Sequence, residues 1–351
     1  EENKSGTVEL TVWAEESEWD MLQSMVDSFQ EQEAKGTTIK VNFVQNSSDE
    51  TKDNLLSDVL NGADIFTLAD DQLSSMVAAG ALAPVGDQEK VKSENLEDAV
   101  AAATINDTLY AYPMTADNGY FMYYDKNYFS DEDVATLDGM LAIAQAAGKQ
   151  IAMDWTSGWY LYSFFGNTGM DFGINDDGVT NHCSWNATDG AVKGVDVAQA
   201  MLNIAANPAF ANVSDTDFIA GAKDGSIIAG VSGVWDATEI KNAWGDNYGA
   251  VKLPTYTVGD QQVQMASFKG YKMLGVNYYS KNKKWALKLA DWFTNEENQT
   301  IRLQEKNQGP SNANAASSEE VQKVPAIQAV LAQSEFGVLQ RVGNSYWSAM
   351  S

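Results

Sequence analysis

Six aromatic rings, Trp155, Trp159, Tyr160, Tyr162, Phe164 and Phe165, crowd the stretch DWTSGWYLYSFFGNTG that runs from Asp154 to Gly169. That density exceeds what a single apolar helical stripe hides, so some of the rings are expected to face something other than core. Further indoles stand where loops are expected: Trp13 at a strand end, Trp235 after a glycine and Trp347 near the terminus. A sugar ring has a face of C–H groups and a rim of hydroxyls. It lies on the electron-rich face of an aromatic ring while its rim bonds to carboxylates, amides and arginine. Aromatic and acidic loops together suit a neutral carbohydrate. Core packing is the ordinary alternative for any one tryptophan, and it is the expectation for Trp285 and Trp292, which share a helical stripe with Leu289.

Other chemistries find few residues to work with. His182 and Cys183 are the only histidine and cysteine, which rules out an intrachain disulfide and a cysteine-histidine zinc site. Adjacent in a strand, they point apart and form no nucleophilic pair. No G-x-S-x-G, P-loop or G-x-G-x-x-G run occurs. NDDGVTNHC shares only its acids with a calcium loop and reads as a hairpin turn. Neither metal nor cofactor is expected. Glycoside hydrolysis needs two carboxylates across one bond; among 49 acids some pairs must be close, but the sequence places none of them.

Those 49 Asp and Glu against 22 Lys and Arg give a formal net charge of −27, which repels phosphate backbones and anionic headgroups. Nucleic acid and membrane-surface partners are therefore not expected. With 351 residues, 44% hydrophobic, the chain is long enough for two cores, and no apolar run reaches the length of a bilayer span. The polar opening EENKSG, without initiator Met or signal peptide, reads as if an N-terminal piece had been removed, by processing or by design of the expressed chain, which hints at export.

The elements that must position the aromatics follow an α/β pattern. TVELTVWAEE is a strand ending in a loop, SEWDMLQSMVDSFQEQEAKG a helix with Trp19, Leu22, Met25, Val26 and Phe29 on one face, and TIKVNFVQ a second strand. Their connection lengths make a parallel crossover unit. GADIFTLAD adds a third strand, and DQLSSMVAAGALAPV a helix closed by glycine. Asn106 and Asp107 suit a tight turn before the strands TLYAYPMT and GYFMYYD, with a first crossing into a second domain near Thr115 to Asn118. Helices are expected at DGMLAIAQAAGK, at the aromatic stretch and at AVKGVDVAQAMLNIAAN. SIIAGVSGVWDATEIKNAWG reads as a strand leading through Gly233 into a helix. AVKLPT reads as a strand leaving the second domain at Pro254, and YKMLGVNYYS as another strand, before the long helix KNKKWALKLADWFTNEENQTIRLQEKNQ and a helix from about Ser318 to Ser334.

Taken in order, ADIFTLADDQLSSMVAAGALAPV, NDTLYAYPMTADNGYFMYYDK, SGVWDATEI, YGAVKLPT, KKWALKLADWFTNEENQ, NQGPSNANAA and FGVLQRVGNSYW resemble the bacterial extracellular solute-binding proteins of ABC sugar importers, of the maltose and maltodextrin type. The resemblance covers almost the whole chain. It implies an α/β, two-lobed periplasmic-binding-protein fold of type II with the ligand cleft between the lobes: residues 1–115 plus 265–315 in one and 116–264 plus 316–351 in the other. It implies a receptor, not an enzyme, that closes on maltose or maltooligosaccharides by a hinge and hands them to a membrane permease. Such a receptor is a monomer at the extracellular face of the membrane, lipid-anchored through a Cys upstream of Glu1. Alternatives are a receptor for another solute, such as xylo-oligosaccharide or a compatible solute, or a glycoside hydrolase.

The resemblance puts Trp159 at the family's stacking position on the second lobe, with Trp235 and Trp347 as further stackers. Asp70 and Asp71 match the first-lobe acid that bonds sugar hydroxyls, and Asp117 or Asn118 the hinge-side acid. Leu68 stands where the family has a first-lobe tryptophan, and Glu18 where it has a lysine; Trp13, Glu15 and Glu16 are expected to compensate. Trp155, Lys269, Tyr271 and Arg341 complete the expected ligand set. Within the aromatic stretch, Trp155, Trp159 and Tyr162 would share one helical face and Tyr160 with Phe164 another, so that one set lines the site and the other packs beneath.

Overall fold

The computed structural model describes residues 6–351; residues 1–5, most of the polar opening read as a processed end, lie outside them. The chain packs as two compact units, one made of residues up to Asp117 with Gly270–Lys323, the other of Asn118–Lys269 with Val324–Ser351. The short helices Ala313–Ala316 and Glu319–Gln322 pack on the helix Glu296–Lys306, so the first unit keeps the chain as far as Lys323.

In the first unit the strand Gly6–Ala14 pairs in parallel with Thr37–Gln45 along its whole length and with Ile65–Ala69 at Val12 and Trp13. Ile65–Ala69 pairs in turn, antiparallel, with the Lys272–Val276 end of the strand Ser267–Val276. The helix Trp19–Gln32 covers this sheet with Met21, Leu22, Met25, Val26 and Phe29, each buried. At about 1.5–3 kcal/mol per buried large side chain, this stripe is what holds the crossover in place. Trp19, expected on that face, instead starts the helix half-buried and donates its indole N–H to the Ala14 carbonyl at 3.0 Å.

The second unit is a sheet in the order Phe210–Asn212, Gln150–Met153, Ile227–Ser232, Phe121–Asp125, Tyr248–Val251. The first three strands are parallel to one another, while Phe121–Asp125 is antiparallel to both its neighbours. All six residues of Ile227–Ser232 are buried, the pattern of a central strand covered on both faces. NDDGVTNHC does form a hairpin turn, between Phe172–Ile174 and Asn181–Cys183.

Three readings of the elements change. The chain does not leave the second unit at Pro254: a hairpin, Thr255–Val258 with Gln261–Gln264, intervenes, and Tyr256 is held in the core by a hydrogen bond from its hydroxyl to the Phe164 carbonyl. The long helix is two, Lys283–Phe293 and Glu296–Lys306, because the Asn295 side chain accepts the Asn298 N–H and caps a fresh start. The last long helix divides at Pro325, which opens Pro325–Gln333 in the first turn, where its missing N–H costs nothing.

Candidate functional site

Parallel strands deliver their loops to one edge of a sheet, and the second unit uses all three. Beyond Gln150–Met153 comes the turn that leads to Ser157, Trp159 and Tyr160. Asp215 follows Phe210–Asn212, and Trp235 follows Ile227–Ser232. Asn118 arrives at the same edge because the antiparallel strand Phe121–Asp125 begins there. Together with Gln340 and Trp347 these residues line a cavity of about 410 Å³.

Local chemistry fixes each wall. Ser157 caps the helix Gly158–Phe165, its Oγ accepting the Trp159 N–H at 3.3 Å. The helix therefore starts after Trp155, and the expectation that Trp155, Trp159 and Tyr162 share one helical face fails. Trp159 lies with its ring 5.5 Å from Phe268, 19° from parallel, and its carbonyl accepts the Tyr120 hydroxyl at 2.5 Å. Phe268, wholly buried, also supports Trp347 at 5.7 Å, so one ring underlies two walls. Gly158 admits no side chain: a Cβ there would stand 2.8 Å from the Met350 Cβ and 3.2 Å from the Tyr346 ring. The Tyr346 hydroxyl bonds the Gly158 carbonyl at 2.6 Å, which docks the terminal helix Ser345–Ala349 and with it Trp347.

On the far wall Trp235 is 50% exposed, enough to offer a ring face to a ligand. Its indole N–H donates to Asp215 Oδ2 at 3.1 Å, and the Tyr160 hydroxyl reaches both oxygens of the same carboxylate at 2.9 Å. A Cβ at Gly233 would fall 2.1 Å from the Trp235 ring, so only glycine leaves the indole its place. Burial raises the pKa of Asp215 above the ordinary carboxylate value, against the hydrogen bonds from Tyr160 and Trp235. Asp236, bonded by the Ser232 hydroxyl at 2.6 Å, is raised chiefly by burial too, with the Asp215 charge adding to it. Among the described residues no lysine or arginine lines the cavity, so what fits is a ligand without negative charge, with hydroxyls for Asp215, Asn118 and Gln340 and flat C–H faces for the rings.

Of the expected ligand set, this cavity brings together Asn118, Trp159, Trp235 and Trp347. Trp155 belongs elsewhere: its ring packs 4.6 Å from Phe210 and 5.2 Å from Phe164. Lys269 donates its ammonium to the Ser334 carbonyl at 3.1 Å, and Arg341 lies half-buried beside Gln340 without lining the cavity. Ser157, Tyr160, Asp215 and Gln340 also line the cavity and are not in the expected set. Asp215 had a signal, since S-D-T-D after a short strand places an acid in the first turn of a helix at the sheet edge.

The remaining expected residues lie in the first unit. Trp13 is half-buried, 6.4 Å from Phe66, and Glu15 accepts the Gln45 amide at 2.8 Å; Glu16 and Asp71 are exposed. Asp70 is 4% exposed and accepts the N–H of Tyr271, itself buried, at 2.8 Å, so this carboxylate ties two strands together and is not presented to a ligand. Asp117 accepts the Gly309 N–H at 2.6 Å, and burial raises its pKa despite that bond. Leu68 is fully buried. Glu18 is paired with Arg302, which is 2% exposed, so the acid in the place of the family's lysine holds a buried guanidinium.

The family described as bacterial extracellular solute-binding protein matches residues 24–329. The chain belongs to that family. It is accordingly a binding protein and not an enzyme, and its two-unit α/β fold is the one the resemblance implies. The galactooligosaccharide-binding protein of Bacillus subtilis strain 168 is 27% identical to this family member over 93% of this chain and 78% of its own. The maltooligosaccharide ABC transporter solute-binding lipoprotein of Streptococcus pneumoniae strain R6 is 25% identical over 93% of this chain and 77% of its own. A solved structure with acarbose is 32% identical, covers 98% of this chain and 91% of that one, and superimposes with a TM-score of 0.79.

Proposed function

We propose that this solute-binding protein is the carbohydrate receptor of an ABC importer and takes neutral oligosaccharides of the maltooligosaccharide class on the cavity of its second unit. One observation carries the reading: three indoles, Trp159, Trp235 and Trp347, and the Tyr160 ring surround a single space whose polar groups are an acid, amides and a hydroxyl, without a cation. Indole faces take the C–H sides of the sugar, while Asp215, Asn118 and Gln340 take its hydroxyls. The relatives named for maltooligosaccharide and galactooligosaccharide, and the neighbour solved with acarbose, support the ligand class. By analogy with the pneumococcal ABC transporter lipoprotein, the receptor is held by a lipid and read by a permease; it works at the extracellular face, as its family does, and we take it as a monomer there. Among the described residues no helix is long and apolar enough to cross a membrane.

A thermal-shift panel of maltotriose, acarbose, a galactooligosaccharide and a xylo-oligosaccharide tests the proposal. A micromolar ligand, worth about −8 kcal/mol, stabilises by about 2.7 kcal/mol at a hundredfold excess over Kd. For a domain of this size that raises Tm by roughly 5–11 °C. Maltotriose or acarbose is expected to give the largest shift and to remain uncleaved. A dominant shift with the galactooligosaccharide would move the ligand to that class, and no shift with any sugar would end the carbohydrate reading.

A further inference from the structure

On a chain whose acids outnumber its bases by 49 to 22, one surface of the first unit has the opposite sign. The segment YYSKNKKWALK, positions 278–288, holds four lysines and no acid. Lys281, Lys284 and Lys288 are exposed and Lys283 partly so. They surround an open hollow of about 630 Å³ with Ser280 and Leu287. Among the described residues Lys281, Lys283 and Lys288 form no ion pair. Two of the ammonium groups lie over rings instead, Lys283 at 4.0 Å from Tyr278 and Lys288 at 5.0 Å from Trp285. The acids nearby are engaged: Asp64 accepts the Ser280 hydroxyl at 2.6 Å and the Thr11 N–H at 2.8 Å, and Asp291 stands 3.5 Å from Lys90. Beside the lysines, Tyr278 and Tyr279 are 48% and 45% exposed.

Clustered like charges repel, so Lys281, Lys283 and Lys288, none of them in an ion pair among the described residues, stand together at a cost that the two ring contacts offset only in part. What they complement is a surface dense in negative charge. Tyrosines with an apolar body and a polar tip settle at the level of lipid headgroups, where lysine stems also reach phosphoryl groups. An open hollow ringed by lysines suits many interchangeable phosphates better than one shaped partner. We infer that the lysine–tyrosine face at positions 278–288 docks the first unit on an anionic phospholipid bilayer. The net charge of −27 does not prevent this, because acids more than about 8–10 Å from the contact are screened at physiological salt. The whole-chain sum excludes anionic headgroups only as an average; the local patch decides the contact.

The test is co-flotation of the whole chain with vesicles of phosphatidylcholine alone or mixed with phosphatidylglycerol, at low and high salt. Each lysine near the surface contributes a factor of about five. Wild type is expected to float several-fold more with the anionic vesicles, and to lose that excess at high salt. The variant Lys281→Glu/Lys283→Glu/Lys288→Glu is expected to float as it does with neutral vesicles. It keeps the fold, since Lys281 and Lys288 are exposed and an acid is tolerated at Lys283 in the first turn of the helix Lys283–Phe293, and its circular dichroism and sugar-induced Tm shift stay those of wild type. A control with the same charge change at three exposed lysines elsewhere, Lys35→Glu/Lys126→Glu/Lys323→Glu, is expected to float like wild type. Equal flotation of wild type on both vesicles, or equal loss in the control, would overturn the inference. So would full competition by inorganic phosphate, which would mark a small-anion pocket, or binding seen only as self-association in sedimentation.

Discussion

Replacing Asp215 by Ala removes the acceptor shared by the two aromatic walls of the cavity. The Tyr160 hydroxyl, on a side chain 4% exposed, loses both oxygens it bonds at 2.9 Å, while the half-exposed Trp235 indole loses its 3.1 Å partner but can turn to water. An unsatisfied buried donor costs about 1–3 kcal/mol and the indole bond about 1 kcal/mol. Release of a carboxylate that burial disfavours offsets part of this, leaving about 2 kcal/mol and a Tm lower by roughly 4–8 °C. Sugar binding suffers separately, because the Trp235 ring is no longer aimed and one hydroxyl acceptor is gone. Calorimetric titration with maltotriose is expected to show a Kd weaker by about tenfold to a hundredfold, at about 1–3 kcal/mol for a charge-assisted bond and a displaced ring. Asp215→Asn is intermediate, since one amide oxygen can serve Tyr160 while its NH₂ faces another donor at Trp235. If Asp215→Ala bound sugar as tightly as wild type, the carboxylate would be a bystander and the cavity would not be the site.

Further outcomes separate the roles assigned to neighbouring residues. Trp159→Ala is expected to weaken sugar binding by about 2 kcal/mol, some thirtyfold, whereas Trp155→Ala lowers Tm by several degrees with affinity unchanged; the reverse pattern would restore Trp155 to the ligand set. Gly233→Ala drives a methyl into the Trp235 ring, so affinity drops more than stability, as titration and melting of the same protein will show. Glu18→Gln strands the buried Arg302 guanidinium; at about 3 kcal/mol the melting temperature drops by roughly 6–12 °C, and a change within error would mean that the Gln308 amide at 3.1 Å suffices. For pH, the raised native pKa of Asp215 means that the folded chain keeps a proton which the unfolded chain gives up near pH 4. That stabilisation is complete below pH 4 and is lost as pH rises through the native value, so the Tm of wild type minus that of Asp215→Asn is expected to be larger at pH 4 than at pH 7.

Periodicity determined the α/β alternation and the helix stripe of Leu22, Met25, Val26 and Phe29, and residue type the turn at Asn106 and Asp107, because burial on one face and left-handed backbone leave local traces. The family resemblance singled out Trp159, Trp235 and Trp347, and the structure brings all three to one cavity. Helix breaks at Asn295 and Pro325 were also written in the residues, though masked by a longer apolar rhythm. Nothing local could assign the crowded rings. Trp159 and Tyr160 face the cavity and Trp155, Tyr162, Phe164 and Phe165 do not, because the Ser157 cap sets where the helix begins and Phe268, Phe210 and Trp185, remote in sequence, choose which rings to cover. Carboxylates are decided the same way. Asp70 and Asp215 each follow a strand and read alike, yet one is tied to the Tyr271 backbone and the other is turned to Tyr160 and Trp235, a choice made only when strands distant in the chain come to lie side by side.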